Sequence, residues 1–371
     1  MPKPARLISL DAFRGFTIML MILVNNPGNW EYVFSPLEHA QWHGCTPTDL
    51  VFPFFLFIMG SAMAFSFSRR LAENSSRRPL YLQIIKRTFL LIFLGLFMAW
   101  YLRWNFSNLR FPGVLQRIGL CYFFASMIIL HSGRRGQIIW TAVLLIGYWL
   151  AMAFIPFPGR TADVWALNSN LAQYIDGIIL KGHLYKQEIG FDPEGLLSTI
   201  PAIAQVMLGY FAGHWLRSKA EPLHKTNGLF IAGNISLVLG LIWSLFMPIN
   251  KQLWTSSYVL YTAGIALNFL GVIYWLIDIK GYTKFTKPFV IFGSNAILAF
   301  FGSGIMAKTM YMWKVTRADG TVTSLKGLFC EKLLVPLFGQ WGGSLAHALF
   351  FILVWLGILT WFYRKKIFIK L

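Results

Sequence analysis

Runs of about 20 predominantly apolar residues recur from one end of this chain to the other, and nothing else constrains its fold as strongly. That is the length an α-helix needs to cross a hydrocarbon layer about 30 Å thick. Such runs fall at residues 10–26, 47–67, 82–101, 112–130, 138–157, 195–216, 228–249, 257–277, 289–306 and 345–363. Only 13% of the 371 residues are charged, against roughly 25% in a soluble domain. In lipid the backbone must satisfy its own polar groups, which favours helices. The expectation is an all-α, polytopic membrane helical bundle, with about ten transmembrane helices in a single domain over 1–371.

The net charge of +19 would suggest nucleic acid in a soluble chain. Its distribution argues for membrane orientation instead. Lys3, Arg6 and Arg14 open the chain, and Lys365, Lys366 and Lys370 close it. Arg69, Arg70, Arg77 and Arg78, then Arg134 and Arg135, then Arg217, Lys219 and Lys225, then Lys280, Lys284 and Lys287 fill alternate connections. The positive-inside rule then puts both termini in the cytosol. The long loops 27–46, 158–194 and 307–344 face outward, with residues 324–334 expected as a short interfacial helix. No small-x-small cleavage site follows the first run, so an uncleaved first span is expected. Cys45, Cys121 and Cys330 show neither a disulfide framework nor metal-ligand spacing.

Ionisable and polar groups at membrane depth are functional candidates. In the segment from Leu37 to Pro53, His39 stands out, because an imidazole can exchange a proton near neutral pH. Thr46-Pro47-Thr48-Asp49 reads as a helix start, with Thr46 as N-cap and Asp49 reaching back to free N–H groups. Asp49 could equally hold His39 in one tautomer, and the two roles are compatible. Asn26, Pro27 and Gly28 are explained by turn chemistry. Asn25, one position deeper, has an amide that could donate to an oxyanion. His39 and His43 have a zinc-binding spacing, but Gly44 disfavours a helix there and no third ligand stands out, so no metal is expected.

Asp11 and Arg14 lie one turn apart at the start of the first span, with Ser9 a plausible N-cap. The structural reading is a capped helix; the functional one gives Arg14 to an anionic ligand from the cytosol. Gln116 and Arg117 sit inside the fourth span, where an arginine must face a partner or a wet cavity. Ligand binding and a pair with Asp192 or Glu194 both remain open. Asp192-Pro193-Glu194-Gly195 resembles a helix start with Asp192 as N-cap, and Asn250, Lys251, Trp254, Ser257, Tyr258 and Asn295 complete the polar set.

Six blocks in order carry a resemblance. They are Ser9-Leu10-Asp11-Ala12-Phe13-Arg14-Gly15; Val24-Asn25; His39-Ala40-Gln41-Trp42-His43-Gly44 with Thr48-Asp49-Leu50-Val51-Phe52-Pro53; Pro112-Gly113-Val114-Leu115-Gln116-Arg117; Asp192-Pro193-Glu194-Gly195; and Asn250-Lys251-Gln252-Leu253-Trp254-Thr255. Together they resemble the heparan-α-glucosaminide N-acetyltransferase family of membrane acyltransferases, in a compact bacterial form without the large extracytoplasmic N-terminal region of the lysosomal members. The resemblance implies an acetyl group taken from cytosolic acetyl-CoA, as co-substrate, and given to the amine of an amino sugar or glycan on the other side of a bacterial inner membrane. It implies His39 as general base or transient acetyl carrier, with Asn25 and Asp49 beside it. Arg14, Gln116 and Arg117 would serve acetyl-CoA, and Trp42, Asp192, Glu194, Lys251 and Trp254 the acceptor. The other expected contacts are membrane lipid and, where the chain pairs with itself, a homodimer.

The main rival is an amino-sugar transporter with a polar site at mid-membrane. Its mark would be a pair of interrupted helices in corresponding halves, and the sequence shows none. A third reading is a scaffold whose polar residues only pack helices.

Overall fold

The computed structural model describes residues 7–73, 76–103, 105–317 and 320–369, so Lys3, Arg6 and Lys370 lie outside the described residues. In chain order the helices are α1 (Ile8–Asn25), α2 (Val51–Glu73), α3 (Arg78–Arg103), α4 (Val114–His131), α5 (Arg134–Phe154), α6 (Leu171–Ile179), α7 (Thr199–Leu216), α8 (Pro222–Ser244), α9 (Ser256–Tyr274), α10 (Lys287–Ser294), α11 (Ala296–Met312), α12 (Leu325–Phe329) and α13 (Val335–Arg364). A two-stranded antiparallel hairpin, β1 (Lys314–Thr316) with β2 (Val322–Ser324), is the only sheet among the described residues. The all-α expectation holds.

Eight of these helical stretches are long and apolar enough to cross a membrane, or nine if the bent pair α10–α11 is one span. The span expected over 195–216 is present as α7, 18 residues long, but it is not among those nine. Gln205 and His214 fall within it, and polar side chains lower the mean hydropathy of so short a helix. The span expected over 289–306 is not continuous. It breaks at Asn295 with a bend of 73°. Residues 324–334 form α12 and a following π-turn, started by the Ser324 hydroxyl accepting from Gly327 N. The helix then runs on as α13, interrupted at Gly339 (φ 69°).

The chain folds as two compact units, residues 1–39, 46–51 and 280–371, and residues 40–45 and 52–279. In the first unit α1 packs against α10 so closely that a Cβ at Gly15 would lie 1.7 Å from the Phe289 carbonyl oxygen. Only glycine permits that approach. The turn after α1 is tied to α13: Gly28 N donates to Ser344 O at 2.9 Å, the Ser344 hydroxyl donates to Asn29 O at 2.9 Å, and His347 Nδ1 lies 3.0 Å from Asn26 O. Asn295, fully buried, satisfies its amide on the chain's end. It donates to Ile367 O at 3.1 Å and accepts from Ile369 N at 2.8 Å.

The second unit holds α2 to α9. Tyr148, Met152, Leu171, Phe191, Met247 and Leu253 form one of its buried apolar clusters, with Trp42 and Trp165 packed against it. The helix ends are fixed by side chains read easily from sequence. Asn170 accepts from Gln173 N to start α6, and Thr255 accepts from Tyr258 N to start α9. Pro222 occupies the first turn of α8, where its missing N–H costs nothing.

Candidate functional site

In the first unit, the polypeptide enters α2 through a 3₁₀ turn at Pro47–Leu50. Asp49 is 1% exposed there, and its two oxygens do different work. Oδ2 accepts from Thr46 N at 3.0 Å, which caps the helix start. Oδ1 lies 2.7 Å from His39 Nδ1. The Thr46 hydroxyl donates to Glu38 O at 2.6 Å, tying the residue before the histidine to the same cap. Asp49 thus lies both at the helix start and against the His39 ring. A bond from Nδ1–H to a carboxylate fixes the neutral ring with its lone pair on Nε2. The His39 side chain is half exposed, so the ring is held yet accessible.

Asn25 ends α1 and is exposed, and among the described residues nothing hydrogen-bonds its side chain. Its neighbour Asn26 is buried, with its amide donating to Ile22 O at 2.8 Å. The two asparagines thus divide as the turn argument expects, Asn26 structural and Asn25 spare. Arg14 lies 3.4 Å from Asp11 Oδ1 and donates to Gly293 O at 3.3 Å, at the end of α10. Ser9 is not the N-cap: α1 begins at Ile8 after Leu7, which places Ser9 inside the helix.

In the second unit Asp192 and Glu194 gather around an arginine that sequence reasoning missed. Arg110 donates from Nε to Asp192 Oδ2 at 2.8 Å, from Nη2 to Asp192 Oδ1 at 2.5 Å, and to Glu194. Asp192 also accepts from Tyr185 N and Glu194 N. It is a loop anchor and not the expected N-cap, because α7 begins only at Thr199. Burial lowers the affinity of the Arg110 guanidinium for its proton, but the two carboxylates outweigh it and raise its pKa above the ordinary value. Burial pushes the Glu194 carboxyl up; Arg110, Arg117 and Lys251 more than offset that and hold it below its usual range. The available signal for Arg110 was a lone arginine in the short connection before α4.

Arg117 is 1% exposed and pairs with neither acid by hydrogen bond. Its Nη2 donates to Gly195 O at 3.1 Å and to Ser198 Oγ. The guanidinium lies 5.1 Å from the centre of the Trp254 ring. Trp254, 1% exposed, is also edge-on to Phe52 and Tyr258. Gln116, its chain neighbour, instead turns towards α3, where a Cβ at Gly95 would meet its Oε1 at 2.1 Å. Arg117 and Trp254 are brought together; Gln116 is not with them.

Trp42 donates from Nε1 to Trp165 O at 2.8 Å and packs edge-on to Phe191. His43 Nδ1 is 3.4 Å from Asn250 Nδ2, and burial lowers the pKa of its ring despite an opposing effect of Asp163. A second missed residue is Asp176, 1% exposed in α6, which accepts from Leu196 N at 2.9 Å. A Cβ at Gly195 would sit 1.7 Å from its other oxygen, which accounts for the glycine in that block.

Residues 6–182 match a family described as a domain of unknown function, DUF5009. The chain is 33% identical over 369 residues to heparan-alpha-glucosaminide N-acetyltransferase of Homo sapiens, covering 84% of this chain and 55% of that protein. The Mus musculus protein of that name is 31% identical over 367 residues with the same coverage. The chain is a homologue of the heparan-alpha-glucosaminide N-acetyltransferases. It spans about half the length of these curated relatives. The DUF5009 match takes in His39, Asp49 and Arg110 and ends before Asp192 and Glu194.

Proposed function

We propose that this chain is a membrane N-acetyltransferase that moves an acetyl group from cytosolic acetyl-CoA to the amine of an amino sugar on the extracytoplasmic side of a bacterial inner membrane, with both termini in the cytosol. The observation that carries the reading is the 2.7 Å contact between His39 and the buried Asp49, in a chain homologous to named acetyltransferases. A protonated amine must lose a proton before or during attack on the thioester, and an oriented imidazole accepts it. His39 is that base, or the group that carries the acetyl transiently through Nε2. In either course Asp49 holds the ring and stabilises the imidazolium that forms.

The exposed Asn25 amide is assigned to the oxyanion of the tetrahedral intermediate. Arg14 and Gln116 are assigned to acetyl-CoA, Arg14 through a charge-assisted bond to phosphate. Trp42, Lys251 and the Asp192–Glu194 pair are assigned to the acceptor. The carboxylates suit an ammonium group, although Arg110 already holds both.

The break at Asn295 is the one observation that favours the transporter alternative. The interruption of α13 at Gly339 lies in the same unit as Asn295 and not in a corresponding half, so the paired arrangement such proteins use is not met among the described residues and the transferase reading is preferred. Purified protein supplied with radiolabelled acetyl-CoA and a panel of amino sugars tests it. Label appearing on a sugar supports the reading. Uptake of free amino sugar into proteoliposomes without acetyl-CoA, and no labelled product, contradicts it.

A further inference from the structure

Arg117 and Trp254 share an uncommon predicament. Arg117 uses Nη2 on Gly195 O and Ser198, but its Nε and Nη1 are buried with no hydrogen-bond acceptor. The Trp254 Nε1, on the ring directly beside the guanidinium, is buried and equally without an acceptor. Leaving such donors dry and unpaired costs far more than any net gain from an ordinary hydrogen bond. The acids that would normally neutralise the arginine are occupied, because Asp192 and Glu194 form their hydrogen-bonded pairs with Arg110.

Two further facts point the same way. Trp254 holds its ring there from a left-handed backbone (φ 52°), a conformation that a bulky residue adopts only under constraint. The constraint is visible: Trp254 N donates to Lys251 O, Leu253 N to Asn250 Oδ1, and the Tyr148 hydroxyl to Leu253 O. The local charge is also unbalanced. Arg110, Arg117 and Lys251 face Asp192 and Glu194, while burial favours the protonated, neutral form of nearby Asp176. The result is a dry cluster of donors with surplus positive charge. Its chemical complement is a group with acceptors only.

We propose that Arg117 and Trp254 form a receptor for an anionic oxygen group, held by the guanidinium Nε and Nη1 and the indole Nε1. The proposal deepens the acetyltransferase reading and takes from it the two possible sources of that group: a phosphate of the acyl-CoA donor, or an acidic substituent on the sugar acceptor. It joins in one site two residues that sequence reading divided between cofactor and substrate. A planar guanidinium and a neighbouring indole N–H offer donors that an ammonium or a phenyl ring cannot copy.

The test uses the full chain in detergent and reads ligand affinity from thermal stabilisation. One arm compares acetyl-CoA with uncharged S-acetylpantetheine. The other compares a glucosaminyl-glucuronate disaccharide with neutral glucosamine. In one arm the charged ligand should bind the wild type at least tenfold more tightly than its neutral analogue. Arg117→Lys and Trp254→Phe should each abolish most of that advantage, with the neutral analogue's affinity changed less than twofold. The arm that responds names the source. Should Arg117→Lys fail to fold, Trp254→Phe, which keeps the charge, carries the test alone. Equal losses for charged and neutral ligands, or no preference for charge in either arm of the wild type, would overturn the receptor. No acetyl group need move in this experiment, so a chain that transfers nothing yet binds charge through Arg117 would refute the acetyltransferase reading and leave the receptor standing.

Discussion

Asp49 divides its carboxylate between two partners: Oδ1 lies 2.7 Å from His39 Nδ1, and Oδ2 accepts from Thr46 N at 3.0 Å. The same side chain therefore sets the helix start and the ring that sits beside it. Asp49→Asn separates the two tasks. The amide oxygen can take over one acceptor role but not both, and an amide facing Nδ1 favours the wrong tautomer. The expected outcome is a loss of about 1 kcal/mol in stability, as for a helix cap, with turnover lowered by about 10²-fold or more. A variant with normal turnover per folded molecule would remove Asp49 from the mechanism.

Arg110 closes two carboxylates in the second unit. Replacing it with Ala leaves Asp192, whose side chain is fully buried, without its counter-charge, and breaking such a pair costs roughly 3–5 kcal/mol. Arg110→Ala should lower the melting temperature by several degrees at neutral pH. A change within that of a surface substitution would mean that the cluster contributes little to folding.

Asp176 makes stability depend on pH in a stated direction. Burial raises its pKa from 3.8 to about 7, against the opposing bond from Leu196 N and the charge of Arg117 and with the repulsion of Asp192. The folded chain thus keeps the proton to about pH 7, whereas the unfolded chain gives it up near pH 4. Stability is lost as pH rises between these values, by up to roughly 4 kcal/mol. Asp176→Asn preserves the acceptor for Leu196 N and removes the titration. Melting curves from pH 5 to 8 should fall for the wild type more steeply than for the variant. Identical slopes would show that Asp176 ionises freely in the folded protein.

The helical class was legible because span length and low charge report a solvent, not a contact. The cap at Thr46-Pro47-Thr48-Asp49 was legible because its partners lie within four residues. What escaped was decided by long-range packing. Arg110 meets Asp192 across 82 residues, and no local pattern records that choice; the sequence offered Arg117 as the acids' partner with equal reason. Asp192 looked like a cap because Pro193 and Gly195 follow it, yet Tyr185 N and Arg110 claim it first. The break at Asn295 was not legible, since the backbone groups that satisfy its buried side-chain amide, Ile367 O and Ile369 N, come from the other end of the chain.

His39 carries the central claim, and one comparison tests it most directly. Acetyl transfer from labelled acetyl-CoA is measured for wild type, His39→Ala and His43→Ala, each with its affinity for acetyl-CoA. The account predicts that His39→Ala loses transfer by about 10²–10⁴-fold with acetyl-CoA binding largely intact, while His43→Ala, whose ring faces Asn250, loses far less. Near wild-type turnover by His39→Ala, or equal losses at both histidines, would contradict it.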